Sequence, residues 1–213
     1  MAGQAAEGAE GRGRCASGMN GRRKTKPMGR HRDPIREADR KLQEEGERQV
    51  QLIYSSAALA LWRNWGWRKD RIRRLFELSQ DIWEECAKDI DHSMIEMCEA
   101  ETGIEIQNGS GKSWRDLHYL NSKVNPGRMT PAKWIYMRRQ QMEWMAPQVV
   151  AGIMLALHRK YSFGYDRCAR VYAQINAVER EAGMDHKRAI EACRKETSIN
   201  IYKIYGSEKE EHK

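Results

Sequence analysis

Cations crowded beside indoles are the most conspicuous chemistry in this chain. Arg63, Arg68, Lys69, Arg71, Arg73 and Arg74 surround Trp62, Trp65 and Trp67 in one short stretch. Guanidinium groups hold phosphates and indoles stack on bases, so the cluster has the composition of a nucleic-acid surface. The same residues have a structural use: indoles filling a gap between helices, with Arg stems laid across them and charged heads left in water. Both readings stay open at this level. If the cluster begins a helix, its cations oppose the macrodipole at a few tenths of a kcal/mol each or more, which calls for compensation. Upstream, from Arg12 to Arg32, the only charged residues are basic, Arg22, Arg23 and Lys24 among them, and such an arm adds salt-screened, non-specific attraction.

Other constellations carry less. Gly109-Ser110-Gly111-Lys112-Ser113 suggests a phosphate loop, but that pattern requires glycine five residues before Gly111, where Ile106 stands, and a buried strand ahead of it. An Asn-Gly linker is the simpler reading. Cys86, His92 and Cys98 sit six residues apart rather than at the three- or four-residue spacing that places two ligands on one helical face, so no metal is expected. The cysteines, at 15, 86, 98, 168 and 193, are odd in number and contain no Cys-x-x-Cys pair, which speaks against a disulfide framework or a zinc ribbon. Glu84, Glu85, Asp89, Asp91, Glu96, Glu99 and Glu101 read as the solvated face of two helices. With no matched nucleophile, base or acid pair, no catalytic residue and no cofactor are expected.

The elements that must position these residues come from a tandem duplication. Leu59-Ala60-Leu61-Trp62-Arg63 and Trp65-Gly66-Trp67 correspond to Leu155-Ala156-Leu157-His158-Arg159 and Tyr161-Ser162-Phe163. The match continues through Asp70-Arg71 and Asp166-Arg167, and through Arg74 and Arg170. It closes with Glu101-Thr102, Ile104 and Ile106 against Glu196-Thr197, Ile199 and Ile201. Copy two carries only Arg159, Lys160, Arg167 and Arg170 beside its aromatic residues, so the cationic excess belongs to copy one.

Each copy reads as three or four helices. Asp33-Pro34 and Thr130-Pro131 have the form of an N-cap followed by proline at the first helical position. Gln49–Trp65 and Val149–Tyr161 are apolar most of the way round, the mark of buried helices. In the next helix of copy one Ile72, Leu75, Phe76, Ser79, Ile82, Trp83 and Cys86 repeat at helical spacing, and in its counterpart Cys168, Val171, Tyr172, Ile175 and Val178 keep the same stripe. Third helices run from about Asp91 to Thr102 and from Lys187 to Thr197, with Gly103 as a left-handed C-cap. The alternating Ile104-Glu105-Ile106 and Ile199-Asn200-Ile201 could then pair as a minimal β-ribbon. The expected organisation is a disordered basic arm over 1–32, helical repeats over 33–106 and 131–205, a linker over 107–130 holding one helical turn around Trp114 to Leu120, and a charged tail over 206–213.

Two units of this size bury little apolar surface alone, which predicts an all-α fold in which they pack as an internal pseudo-dimer. A net charge of +8 and 32% charged residues suit a helical protein in water. The absence of a signal-like leader and of a long apolar run makes the cytoplasm the expected compartment and excludes a membrane partner.

The stretch Leu-Ala-Leu-His-Arg-Lys-Tyr-Ser-Phe-Gly at 155–164, with Glu-Thr-Ser-Ile at 196–199, resembles small helical proteins encoded by phages and prophages of Gram-positive bacteria. Copy one departs from that pattern by placing Trp62 where the His stands and Trp-Gly-Trp in place of the Phe-Gly turn. The resemblance implies a phage or prophage setting and a bacterial host cytoplasm, and it transfers no activity and no site residue. The resulting expectation is a non-enzymatic accessory protein, nucleic-acid-binding or regulatory, that acts through Arg63, Trp67, Arg68, Lys69, Arg71, Arg73 and Arg74 together with the arm. The alternative is a protein-interaction module that engages a host or phage protein through Trp134, Met137 and Trp144 on a helix over 133–145.

Overall fold

Proline at a first helical turn loses no hydrogen bond, and helix α1 starts at Pro34 and runs unbroken to Trp65. The computed structural model describes residues 34–86, 93–106 and 130–205. The expected N-cap at Asp33, the basic arm, the linker with its helical turn and the charged tail lie outside the described residues. After α1 come α2 (Lys69–Cys86), α3 (Met94–Thr102), α4 (Pro131–Glu143), α5 (Met145–Tyr161), α6 (Tyr165–Glu181), α7 (His186–Thr197) and α8 (Ile201–Tyr205). Among the described residues all regular structure is helical, so the fold is all-α. No described helix is long and apolar enough to cross a membrane.

The two repeats begin differently. In copy one the charged opening segment and the apolar segment fuse into one helix of 32 residues, about 48 Å long at 1.5 Å per residue. In copy two they separate into α4 and α5 at Trp144. Pro147 explains the break: it has no N–H to give and its ring crowds the carbonyl four residues earlier, at Glu143, the last residue of α4. The corresponding residue in α1 is Gln51, which imposes no such break. Thr130 caps α4 as expected, its Oγ1 accepting from the Lys133 N–H at 3.4 Å. Gly46 lies where α1 passes the α4–α5 joint, and a Cβ there would stand 3.0 Å from the sulfurs of Met142 and Met145.

A helix apolar on every side needs cover on every side, and the two repeats supply it to each other. The main contacts of α1 are with α6 and α7 of the second repeat, whereas α5 lies against α2 and α3 of the first. Contacts between α1 and its own successor α2 are sparse. Residues 51–61 of α1 and 149–157 of α5 are all buried, and one continuous apolar cluster joins residues of both repeats. At Gly152 of α5 a Cβ would meet Met94 Sδ at 3.3 Å and the Ser79 carbonyl oxygen at 3.4 Å, so the helices pass closely there.

The repeated Glu-Thr-Gly/Ser-Ile terminus has a local cause. Thr102 donates its hydroxyl to the Cys98 carbonyl at 2.6 Å and accepts the Ile104 N–H at 3.2 Å. Thr197 does the same with Cys193 at 2.7 Å and Ile199 at 3.1 Å. Each threonine thus closes its helix and aims the next isoleucine inward, after a left-handed residue at Gly103 or Ser198. The expected β-ribbon does not form: no strand is present among the described residues, and Ile201 opens α8 instead. Ile104, Ile106, Ile199 and Ile201 are all buried. Burying a side chain of this size is worth about 1.5–3 kcal/mol, more than a three-residue ribbon could return.

Candidate nucleic-acid interface

Both inter-helix turns are held the same way. The Trp67 N–H reaches the Leu61 carbonyl and the Phe163 N–H reaches the Leu157 carbonyl, each at 3.2 Å, across left-handed residues Gly66 and Ser162. In the second turn His158 Nδ1 also bonds the Phe163 carbonyl oxygen at 2.8 Å, which gives the His of the Leu-Ala-Leu-His stretch a structural use. These turns bring four rings together. Trp65 meets Phe163 at 5.0 Å between centroids, and the corresponding pair Tyr161 and Trp67 meets at 4.7 Å. Trp67 and Phe163 are 6.0 Å apart, edge to face, and both are buried. Trp65 is further fixed by donating its Nε1–H to Gln174 Oε1 of α6 at 2.7 Å.

Arginines from both repeats cover this cluster. Arg71 lies 4.0 Å from the Trp67 ring centroid and 5.1 Å from that of Tyr161. Its counterpart Arg167 lies 4.8 Å from Phe163, while Arg170 sits 5.5 Å from Trp65. Arg68 stands 5.5 Å from Trp62. A guanidinium over a ring face gains about 0.5–1 kcal/mol at an exposed site. Together with Asp70 and Asp166 in the first turns of α2 and α6, this offsets the unfavourable placing of cations at helix N-termini. Among the described residues Arg68, Lys69, Arg71, Arg73, Arg167 and Arg170 have no carboxylate within ion-pair distance. Arg74 has Glu77, at 3.3 Å on an exposed face. Tyr165, at the start of α6, is 60% exposed.

Sequence reasoning placed the cationic surface in the first repeat, and the structure changes its membership. Arg63 is exposed but its donors are taken: Nε and Nη2 donate to both oxygens of Glu196 at 2.8 and 2.5 Å, and Nη1 donates to Glu181 at 2.8 Å. Those bonds and charges raise the Arg63 pKa further above its ordinary value and lower that of Glu196. Trp67 is buried with the ring cluster and offers no face for a base. Arg68, Lys69, Arg71, Arg73 and Arg74 remain on or near the surface, and Arg167 and Arg170 of the second repeat join them. Arg22, Arg23 and Lys24 lie outside the described residues.

The surface expected for a protein partner is likewise altered. Trp144 is 3% exposed and packs in the shared core, because the α4–α5 joint turns it inward. Trp134 and Met137 are half-buried, and Tyr136 of the same helix is the exposed ring. Arg138 ties α4 to α1 through Asp39 at 3.0 Å.

No cluster of three or more potential metal ligands occurs among the described residues, and His92 and the Gly109–Ser113 loop lie outside them. Burial pushes the thiol of Cys98 up to about 12 and those of Cys168 and Cys193 up to about 11, so these cysteines are apolar filling rather than nucleophiles. No protein-family model, curated protein or solved structure matches the chain.

Proposed function

We propose that this protein is a non-catalytic nucleic-acid-binding accessory protein, acting in the bacterial cytoplasm in the phage or prophage setting that its sequence resemblance implies. The supporting observation is the convergence of Arg71 and Arg167, equivalent residues of the two repeats, on one ring cluster, with Arg170 over Trp65, Arg68 over Trp62, and no carboxylate within ion-pair distance of these four among the described residues. A guanidinium held over a ring keeps its edge donors available, which suits a phosphate backbone better than a mobile side chain would. The binding face therefore draws on both repeats rather than on the first alone.

The test is anisotropy of labelled duplex DNA and structured RNA across a salt series. Replacing Arg71, Arg73 and Arg74 by Ala should weaken binding and flatten the dependence of log K on log salt by about 0.9 for each duplex-phosphate contact removed. Arg167→Ala with Arg170→Ala should do so as well. Binding unchanged in the first variant refutes the reading, and binding unchanged only in the second returns the face to copy one. A stoichiometric protein partner that survives nuclease treatment and is lost on Tyr136→Ala would instead favour the α4 surface.

A further inference from the structure

Among the residues repeated identically in the two halves are an arginine and a glutamate that join them. Arg63 and Arg159 are equivalent in sequence, as are Glu196 and Glu101, and each arginine grips the glutamate of the other repeat. Arg159 Nε and Nη2 donate to the two oxygens of Glu101 at 2.9 and 2.6 Å, repeating the two-point grip of Arg63 on Glu196. All four side chains are about one-third exposed. The same reciprocity holds for the helices, α1 lying on α6 and α7 and α5 lying on α2 and α3. It holds again for the rings, where Trp65 against Phe163 mirrors Tyr161 against Trp67.

We infer that the chain is a helix-exchanged pair of like halves, 33–106 and 131–205, in which each half's binding partner is a repeat of its own kind and the covalent connection is dispensable to their association. The cause lies in where apolar surface is covered. Residues 51–61, ringed by apolar contacts, find that cover in α6 and α7 of the other half, and their own α2 supplies little of it. A half deprived of its partner would expose the apolar sides of residues 51–61 or 149–157. Bidentate Arg–carboxylate pairs then fix the register in which the halves meet, since the planar fork accepts its carboxylate in one orientation. A single-repeat version of this pattern would accordingly meet a second copy about a two-fold axis, residue 63 gripping residue 196 and residue 159 gripping residue 101 becoming one contact made twice.

The experiment uses the full chain with a specific protease site inserted between Asn108 and Gly109, cut after folding. The cleaved halves are expected to elute together at the size of the intact 24.8 kDa protein and to keep its helical circular dichroism. Their unfolding midpoint should become dependent on concentration, as for any bimolecular complex. Halves that separate while remaining helical, or helicity that collapses on cleavage, overturn the inference. Arg159→Glu in the cleavable chain should raise the dissociation constant of the cut halves about tenfold or more, and adding Glu101→Arg should recover most of it. An unchanged constant in the first variant, or no recovery in the second, removes the reciprocal grip. No nucleic acid enters these measurements, so they stand or fall apart from the binding function.

Discussion

Glu179 offers a sharp test of how the second repeat is packed. It occupies the position of Trp83 in the first repeat, and burial pushes its carboxyl up to about 7. A carboxyl whose folded pKa is raised is held in its protonated form by folding. Its penalty is absent below the ordinary value of 4.5, grows as pH rises, and is complete above about 7. The full shift corresponds to roughly 3.4 kcal/mol at 1.36 kcal/mol per pKa unit, and solvent access to a half-buried side chain reduces this to on the order of 2 kcal/mol. Glu179→Gln removes the ionisation while keeping the shape. Urea unfolding followed at 222 nm should give the variant about the same stability as the parent near pH 4.5 and an advantage on the order of 2 kcal/mol at pH 8. His186, whose pKa is lowered by burial and then by Arg48, gains stability in the opposite direction through its own range, but it is present in both proteins and cancels in the difference. A difference that stays constant from pH 4.5 to 8, or one that favours the parent at pH 8, refutes the argument.

Two further outcomes follow from the backbone and the core. Ser162 and Ser198 adopt left-handed conformations, with φ 55 and 57°, where the first repeat has Gly66 and Gly103. Ser162→Gly and Ser198→Gly should each stabilise by about 0.5–1 kcal/mol in thermal or chemical unfolding, and a loss of stability would show that the side chains matter more than the backbone. Ser56 Oγ is buried with no hydrogen-bond partner among the described residues, so Ser56→Ala should stabilise by about 1 kcal/mol, and destabilisation would reveal a partner for the hydroxyl.

Much of the helical content is legible in the sequence because it follows from local chemistry. Thr130-Pro131 opens a helix, Gly103 ends one in the left-handed region, and the apolar spacing of α2 and α6 marks the face they bury, with Trp83, Cys86 and Tyr172 at its edge only partly covered. Periodicity reports which face of a helix is covered and is silent on what covers it. For that reason the crossing of α1 onto α6 and α7 was not readable, and Glu101 passed for part of a solvated acidic face when it grips Arg159. A signal for that contact did exist, since an arginine and a glutamate recur at matching places in both copies. The isoleucine tails misled for a related reason: alternation describes a strand with one wet face, and here burial of Ile104, Ile106, Ile199 and Ile201 governs the path. The cluster of cations was legible in composition and not in membership, because only the fold brings Arg167 and Arg170 beside Arg71 and hands Arg63 to two carboxylates.

Pro147 leaves the molecule mechanically lopsided. The first repeat offers a single stiff rod from Pro34 to Trp65, and the second offers two shorter rods that meet at Trp144, where one backbone link is missing. Bending is easiest at that joint, and Asp39 with Arg138 is the strut that holds the shorter rod alongside the long one. Two stretches with nearly the same pattern of residues thus give one a lever and the other a jointed counterpart.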